Sequence, residues 1–142
     1  MTHILNIVLL FSTLEYCFSK IKSIDFVREE DKTITEILSN PKSGLGEELL
    51  SRIEKYNEIL QTNLNLAKTF DPDGLKFAKE LKLDNGPNFL RVTDFIKSKI
   101  THYQEVFNYS QEQCYNFEDN VYWTRNLWGS FKDINTFDGC GK

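Results

Sequence analysis

Eight residues, Leu45, Leu49, Ile53, Tyr56, Leu60, Leu64, Ala67 and Phe70, follow one another at steps of three or four. The mean step is about 3.6, the period of an α-helix. Glu48, Arg52, Lys55, Glu58 and Gln61 take the opposite side. The spacing predicts an amphipathic helix of about seven turns whose role is structural, with its stripe turned to a core. Glu47 and Glu48 suit its first turn, where the helix dipole favours acids, and Glu48 precedes Arg52 in the better i,i+4 order.

The flanking segments also read as helices. Ile24, Val27, Ile34, Ile37 and Leu38 share a side of a helix capped by Ser23 and running to about Ser39, although Asp31 interrupts the stripe. Thr33 with Glu36 offers a second capping box, so the helix is alternatively confined to its latter half. Asn40-Pro41 ends it, because the residue before a proline is pushed out of the α region. Asp71-Pro72 supplies an N-cap and an N1 proline for a short helix with Leu75, Ala78 and Leu81 inward, and Asn85-Gly86-Pro87 ends that one.

From Asn88 onward an apolar or small stripe continues through Phe89, Val92, Ile96, Ile100, Tyr103, Phe107, Cys114, Phe117, Val121 and Phe131 without Gly or Pro before Gly129. One helix of that length would span about 66 Å, twice the width of a small domain. The break is expected at Ser110, which forms a capping box with Gln113. Two helices follow, over about 88–108 and 110–131. No β-type alternation and no internal repeat occurs, so the predicted fold is all-α: a single-domain antiparallel bundle of four or five helices. A composition of 40% hydrophobic and 27% charged residues suits a packed chain and excludes low-complexity and collagen-like readings.

Residues 1–19 read as a signal peptide: an apolar run over Ile4–Phe11, then small residues Cys17 and Ser19 before the cut. Residues 20–142 are then a secreted, extracellular domain. No later stretch reaches the roughly 18–20 apolar residues of a membrane span. Cleavage leaves two cysteines, Cys114 and Cys140, expected to form a disulfide contributing about 3–4 kcal/mol. That bond would tether a Gly-punctuated C-terminal tail antiparallel to the last helix, which then ends near Leu127, and lay Phe137 over it.

Catalytic and metal signatures are missing from the sequence. His102 is the one histidine beyond the leader, and no H-x-x-x-H, C-x-x-C, G-x-S-x-G or P-loop occurs. Gly44-Leu45-Gly46 reads as a flexible loop. Asp71, Asp73 and Asp84 with Asn85 invite a calcium reading, but the EF-hand spacing fails and capping explains the first two. Glu29-Glu30 and Glu118-Asp119 read as solvated faces. Acids and bases are interspersed around a net charge of −4, which disfavours a nucleic-acid partner. No enzyme, cofactor or metal is expected; a hydrolase would need His102 beside a carboxylate in a cleft.

Two features point to function. Asn108-Tyr109-Ser110 is an N-glycosylation sequon placed at the predicted break. Nine of the sixteen aromatic residues beyond the leader lie between Phe107 and Phe137, and Tyr115, Tyr122 and Trp123 fall off the apolar stripe. Their rings are expected to meet the tail, a partner or an apolar ligand. The leading expectation is a secreted non-enzymatic protein that binds another protein through this face. The alternative is an extracellular carrier of a lipid or fatty acid held between the helices.

Overall fold

The computed structural model describes residues 24–84, 86–93 and 97–140, with side chains excepted at 93, 97–98 and 135–140. The expected leader, 1–19, and the expected cap Ser23 lie outside the described residues. The described residues form α1 (Ile24–Ser39), α2 (Gly46–Lys68), α3 (Pro72–Lys82), α4 (Asn88–Thr93), α5 (Lys97–Val106) and α6 (Gln111–Cys140). A 3-10 turn at Ser43–Leu45 leads into α2, and no strand occurs among them. Of the helix expected over 88–108 the described residues show α4 and α5; residues 94–96 between them lie outside the described residues.

The long stripe forms α2, and the other helices pack around it: α1, α3 and α6 each lie against α2, α3 also meets α6, and α1 meets α4. Leu49, Ile53, Tyr56, Leu60, Leu64 and Ala67 are buried as their spacing predicts. From the other helices come Val27, Ile34, Leu38, Leu81, Phe89, Phe117, Val121 and Phe131, all but closed to solvent. Burying a side chain of this kind stabilises a fold by about 1.5–3 kcal/mol.

Local signals set most of the boundaries. Asp71 caps α3 by accepting hydrogen bonds from the Asp73 and Gly74 amides at 3.0 and 3.3 Å, with Pro72 at N1. Gly74 lets α3 close on α2, since a Cβ there would stand 2.5 Å from the Ala67 nitrogen. At the start of α6 the Gln113 amide donates to Ser110 Oγ at 3.2 Å and the Ser110 amide donates to Gln113 Oε1 at 2.9 Å, the reciprocal capping box. Thr33, by contrast, is mid-helix, its hydroxyl donating to the Glu29 carbonyl at 3.1 Å, so its box with Glu36 does not start a helix.

Two expectations are corrected. Phe70 is not core; it is 73% exposed. Helix α2 ends at Lys68, and Phe70 adopts a left-handed conformation (φ 60°). The Phe70 and Asp71 amides donate back to the Ala67 and Leu66 carbonyls at 3.1 and 3.0 Å. This paired closure satisfies the helix end and swings the ring away from the stripe.

The second correction concerns the tail. Helix α6 does not stop near Leu127 and turn back; it continues through Gly129 to Cys140. One glycine costs a helix about 1 kcal/mol, less than the packing gained by Leu127 and Phe131, which are buried on either side of it. Along a helix at 1.5 Å per residue, Cys114 and Cys140 stand about 39 Å apart, whereas a disulfide holds α-carbons within about 7 Å. Cys114 is a half-buried free thiol, and the side chains of Cys140 and Phe137 lie outside the described residues. The disulfide-tethered tail therefore has no support here.

A phenylalanine in the left-handed region carries strain of about 1 kcal/mol that glycine does not. Phe70→Gly is expected to stabilise the fold by about 1 kcal/mol, read as a higher Tm in calorimetry; an unchanged or lower Tm would mean that the ring makes a stabilising contact.

Candidate functional site

Tyr115 and Tyr122 stand two helical turns apart on α6 and therefore on one side of it. They are 58% and 61% exposed, and Trp123 beside them is half-buried. Gln111, one turn earlier, donates from Nε2 to Tyr115 Oη at 3.1 Å. The Trp123 indole N–H donates to Gln61 Oε1 of α2 at 3.3 Å, which fixes that ring at the seam between the two helices. The structure thus brings the three sequence-selected aromatics onto adjacent parts of one helix. The tail does not fold back over them, because it remains helical.

Beside Trp123 a cleft of about 360 Å³ opens between α2 and α6, lined by Glu54, Asn116, Asp119, Asn120 and Trp123. A polar network lies beneath it. Asn57 of α2 donates to the Asn120 carbonyl at 2.9 Å, and the Thr124 hydroxyl lies 2.7 Å from Asn57 Oδ1 and 2.8 Å from the Asn120 carbonyl. Asn120 in turn donates to the Asn116 carbonyl at 2.9 Å. Sequence reasoning missed this network. Its signal was Thr124, which falls three residues from both Val121 and Leu127 in an otherwise apolar stripe.

A second cleft, of about 300 Å³, is lined by residues including Arg28 and Asp31 of α1, Tyr56 of α2, Asp84, Asn88 and Arg91 of α4, and Trp128 of α6. Arg28 Nε donates to Asp84 Oδ2 at 3.1 Å, and the Trp128 indole donates to Tyr56 Oη at 3.1 Å. Burial pushes the Tyr56 phenol well above its usual range. The Asp31 carboxylate accepts the Asn88 and Phe89 amides, each at 3.0 Å, and so caps α4 from 57 residues away in sequence. The residue that interrupts the α1 stripe is therefore a tertiary cap. Burial raises its pKa above the ordinary carboxylate value, opposed by those amide bonds and by Thr35.

The remaining candidates are dispersed. Asp71 caps α3 while Asp84 pairs with Arg28. Among the described residues no group of three or more His, Cys, Asp or Glu side chains is placed to hold a metal ion. His102 is exposed on α5, its ring 5.7 Å from that of Tyr103. Asn108 is exposed between α5 and α6 at φ 55°, closing α5 as Phe70 closes α2. Tyr109 anchors that loop through its hydroxyl, which donates to the Gly46 carbonyl at 2.6 Å.

Asp31→Ala strips the cap from α4, with an expected cost of about 1–2 kcal/mol and faster hydrogen exchange at Asn88 and Phe89. The pH dependence has a definite sign. A carboxyl whose folded pKa is raised gives its stabilising contribution below the unfolded value of about 3.9 and loses it as pH rises through the folded value. The Tm of the natural protein is therefore expected to gain on that of Asp31→Asn as pH falls from 7 to 3. A constant difference would show that Asp31 does not titrate in the fold as its burial requires.

No family model matches the chain, and no curated protein or solved structure shows similarity to it.

Proposed function

We propose that this protein is a secreted, non-enzymatic helical protein that binds another protein through the α6 face bearing Tyr115, Tyr122 and Trp123. The exposure of both tyrosines in helical register carries this reading. Tyr and Trp are enriched in protein interfaces because they contribute large contact areas at low entropic cost and keep a polar group for water or partner. Trp123, held against Gln61, gives the face a fixed centre.

Secretion rests on the signal-peptide pattern of residues 1–19. It is compatible with the surface position of the Asn108 sequon, and no helix among the described residues is long and apolar enough to cross a membrane. A Cys114–Cys140 bond belongs to this reading only if the last turns of α6 unwind. The carrier reading draws no support from the two clefts, since charged and polar side chains line both.

Photo-crosslinking from the face tests its role. Benzoylphenylalanine in place of Tyr122 is expected to give a discrete adduct on the secreted protein in its native medium. The same group in place of Glu29, exposed on α1, gives none. Trp123→Ala is expected to abolish the Tyr122 adduct without unfolding the chain. Equal adducts from both positions, or none from either, refute the face.

Export has its own test. Expressed in a eukaryotic secretory host, the chain is expected in the medium with Lys20 at its N-terminus and with a mass that falls on PNGase F treatment. Full-length chain retained in the cytosol would refute secretion, and an unchanged mass would refute glycosylation at Asn108.

A further inference from the structure

We propose that the exposed face of α6 pairs antiparallel with the same face of a second copy of this chain, about a two-fold axis at Tyr122. This inference rests on the reading of that face as a protein-binding surface, and it names the partner. Tyr115, Tyr122 and Gly129 follow one another at steps of seven residues, two helical turns, and all three are exposed. They form the centre line of the outer side of α6. Gly129 has no explanation within the chain. Gly46 and Gly74 are needed where they stand, since a Cβ there would lie 2.8 Å from the Tyr109 ring and 2.5 Å from the Ala67 nitrogen. At Gly129 a Cβ would meet nothing within 4 Å, and the residue is helical without a positive φ. An alanine would fit there and would strengthen the helix.

A second copy supplies the reason. Reversing α6 about Tyr122 sets residue 115 of each copy level with residue 129 of the other, because both lie seven residues from the axis. The bare backbone at Gly129 then seats the Tyr115 ring of the facing copy, the close approach for which glycine is suited. The two Tyr122 rings meet on the axis, where an aromatic pair adds to the buried area. Charge selects the same alignment. Along the outer side Glu112, Glu118 and Asp119 precede Tyr122, whereas Arg125 and Lys132 follow it, with Asp133 the exception. Antiparallel pairing lays the acidic half of each helix against the basic half of the other, while parallel pairing would set like charges together. The face thus matches itself in shape and in charge, as a two-fold contact requires.

Sedimentation equilibrium of the purified chain tests the pairing. Because the contact is confined to one helix face, monomer is expected to give way to dimer through the micromolar range, and the dimer to weaken with added salt. Gly129→Gln fills the seat with a good helix former at an exposed position. Dimer affinity is expected to fall about tenfold, while the Tm of the dilute chain holds or rises. Tyr122→Glu, which sets two carboxylates on the axis, is expected to abolish the dimer. Benzoylphenylalanine in place of Tyr115 is expected to attach to the facing copy within the tryptic peptide 126–132, which contains Gly129. A chain that stays monomeric, a dimer equally stable in Gly129→Gln, or attachment near residue 115 instead overturns the inference. The two readings fail separately. A Tyr122 crosslink whose mass differs from twice that of the chain leaves the protein-binding face standing and removes the second copy. No crosslink from Tyr122, in the native medium or in the concentrated purified chain, removes both.

Discussion

The seam between α2 and α6 is held by the buried amide of Asn57, and much of the molecule depends on it. Asn57 is closed to solvent, as is Thr124. Burying such groups without partners would cost about 1–3 kcal/mol each. Here the α6 backbone at Asn120 and the Thr124 hydroxyl satisfy Asn57. A shift of register at this seam would part Asn57 from Asn120 and Thr124, the partners that satisfy its amide. Two indole bonds, Trp123 to Gln61 and Trp128 to Tyr56, add rungs on either side. Asn63 marks what an incomplete partnership looks like: its Nδ2 donates to the Ile59 carbonyl, while its Oδ1 is buried with no partner.

A similar economy governs the shorter elements. Helix α4 starts on support from other elements: Phe89 is fully buried, its ring 5.2 Å from that of Tyr56, and Asp31 supplies the cap from α1. Arg28, one turn before Asp31, pairs with Asp84 just ahead of α4. One face of α1 is therefore given to receiving the connection between α3 and α4.

These long-range devices explain what could be read from the chain alone and what could not. The α2 period, the Asp71-Pro72 start and the Ser110–Gln113 box rest on neighbours within a few residues, and all three appear where the pattern places them. Asp31 and Thr124 look like defects in apolar stripes, because their partners lie 57 and 67 residues away and no local pattern announces them. Phe70 fits the α2 period, yet helix closure intervenes two residues earlier and a period cannot show that. The C-terminal segment fails for the converse reason. Its glycines look like turn residues, and the packing that keeps α6 helical past Gly129 is tertiary. Tyr115, Tyr122 and Trp123 were legible as off-stripe positions because α6 is regular. The carboxylate beside Trp123 from α2 was not, since only the fold joins Glu54 to Asp119.

Helix α6 carries both kinds of surface at once. Phe117, Val121, Thr124, Leu127 and Phe131 face the core while Tyr115 and Tyr122 face out. Each outer side chain therefore stands on a backbone that the inner ones hold rigid. A tyrosine on such a helix has only two side-chain torsions left to order when it meets a partner, and Trp123, tied to Gln61, has less freedom still. The cleft beside Trp123 shares Asn120 with the Asn57 network, so the bonds that hold the seam also hold part of its lining. The same bonds that fix the register of the fold thus preorganise the surface on which recognition would occur.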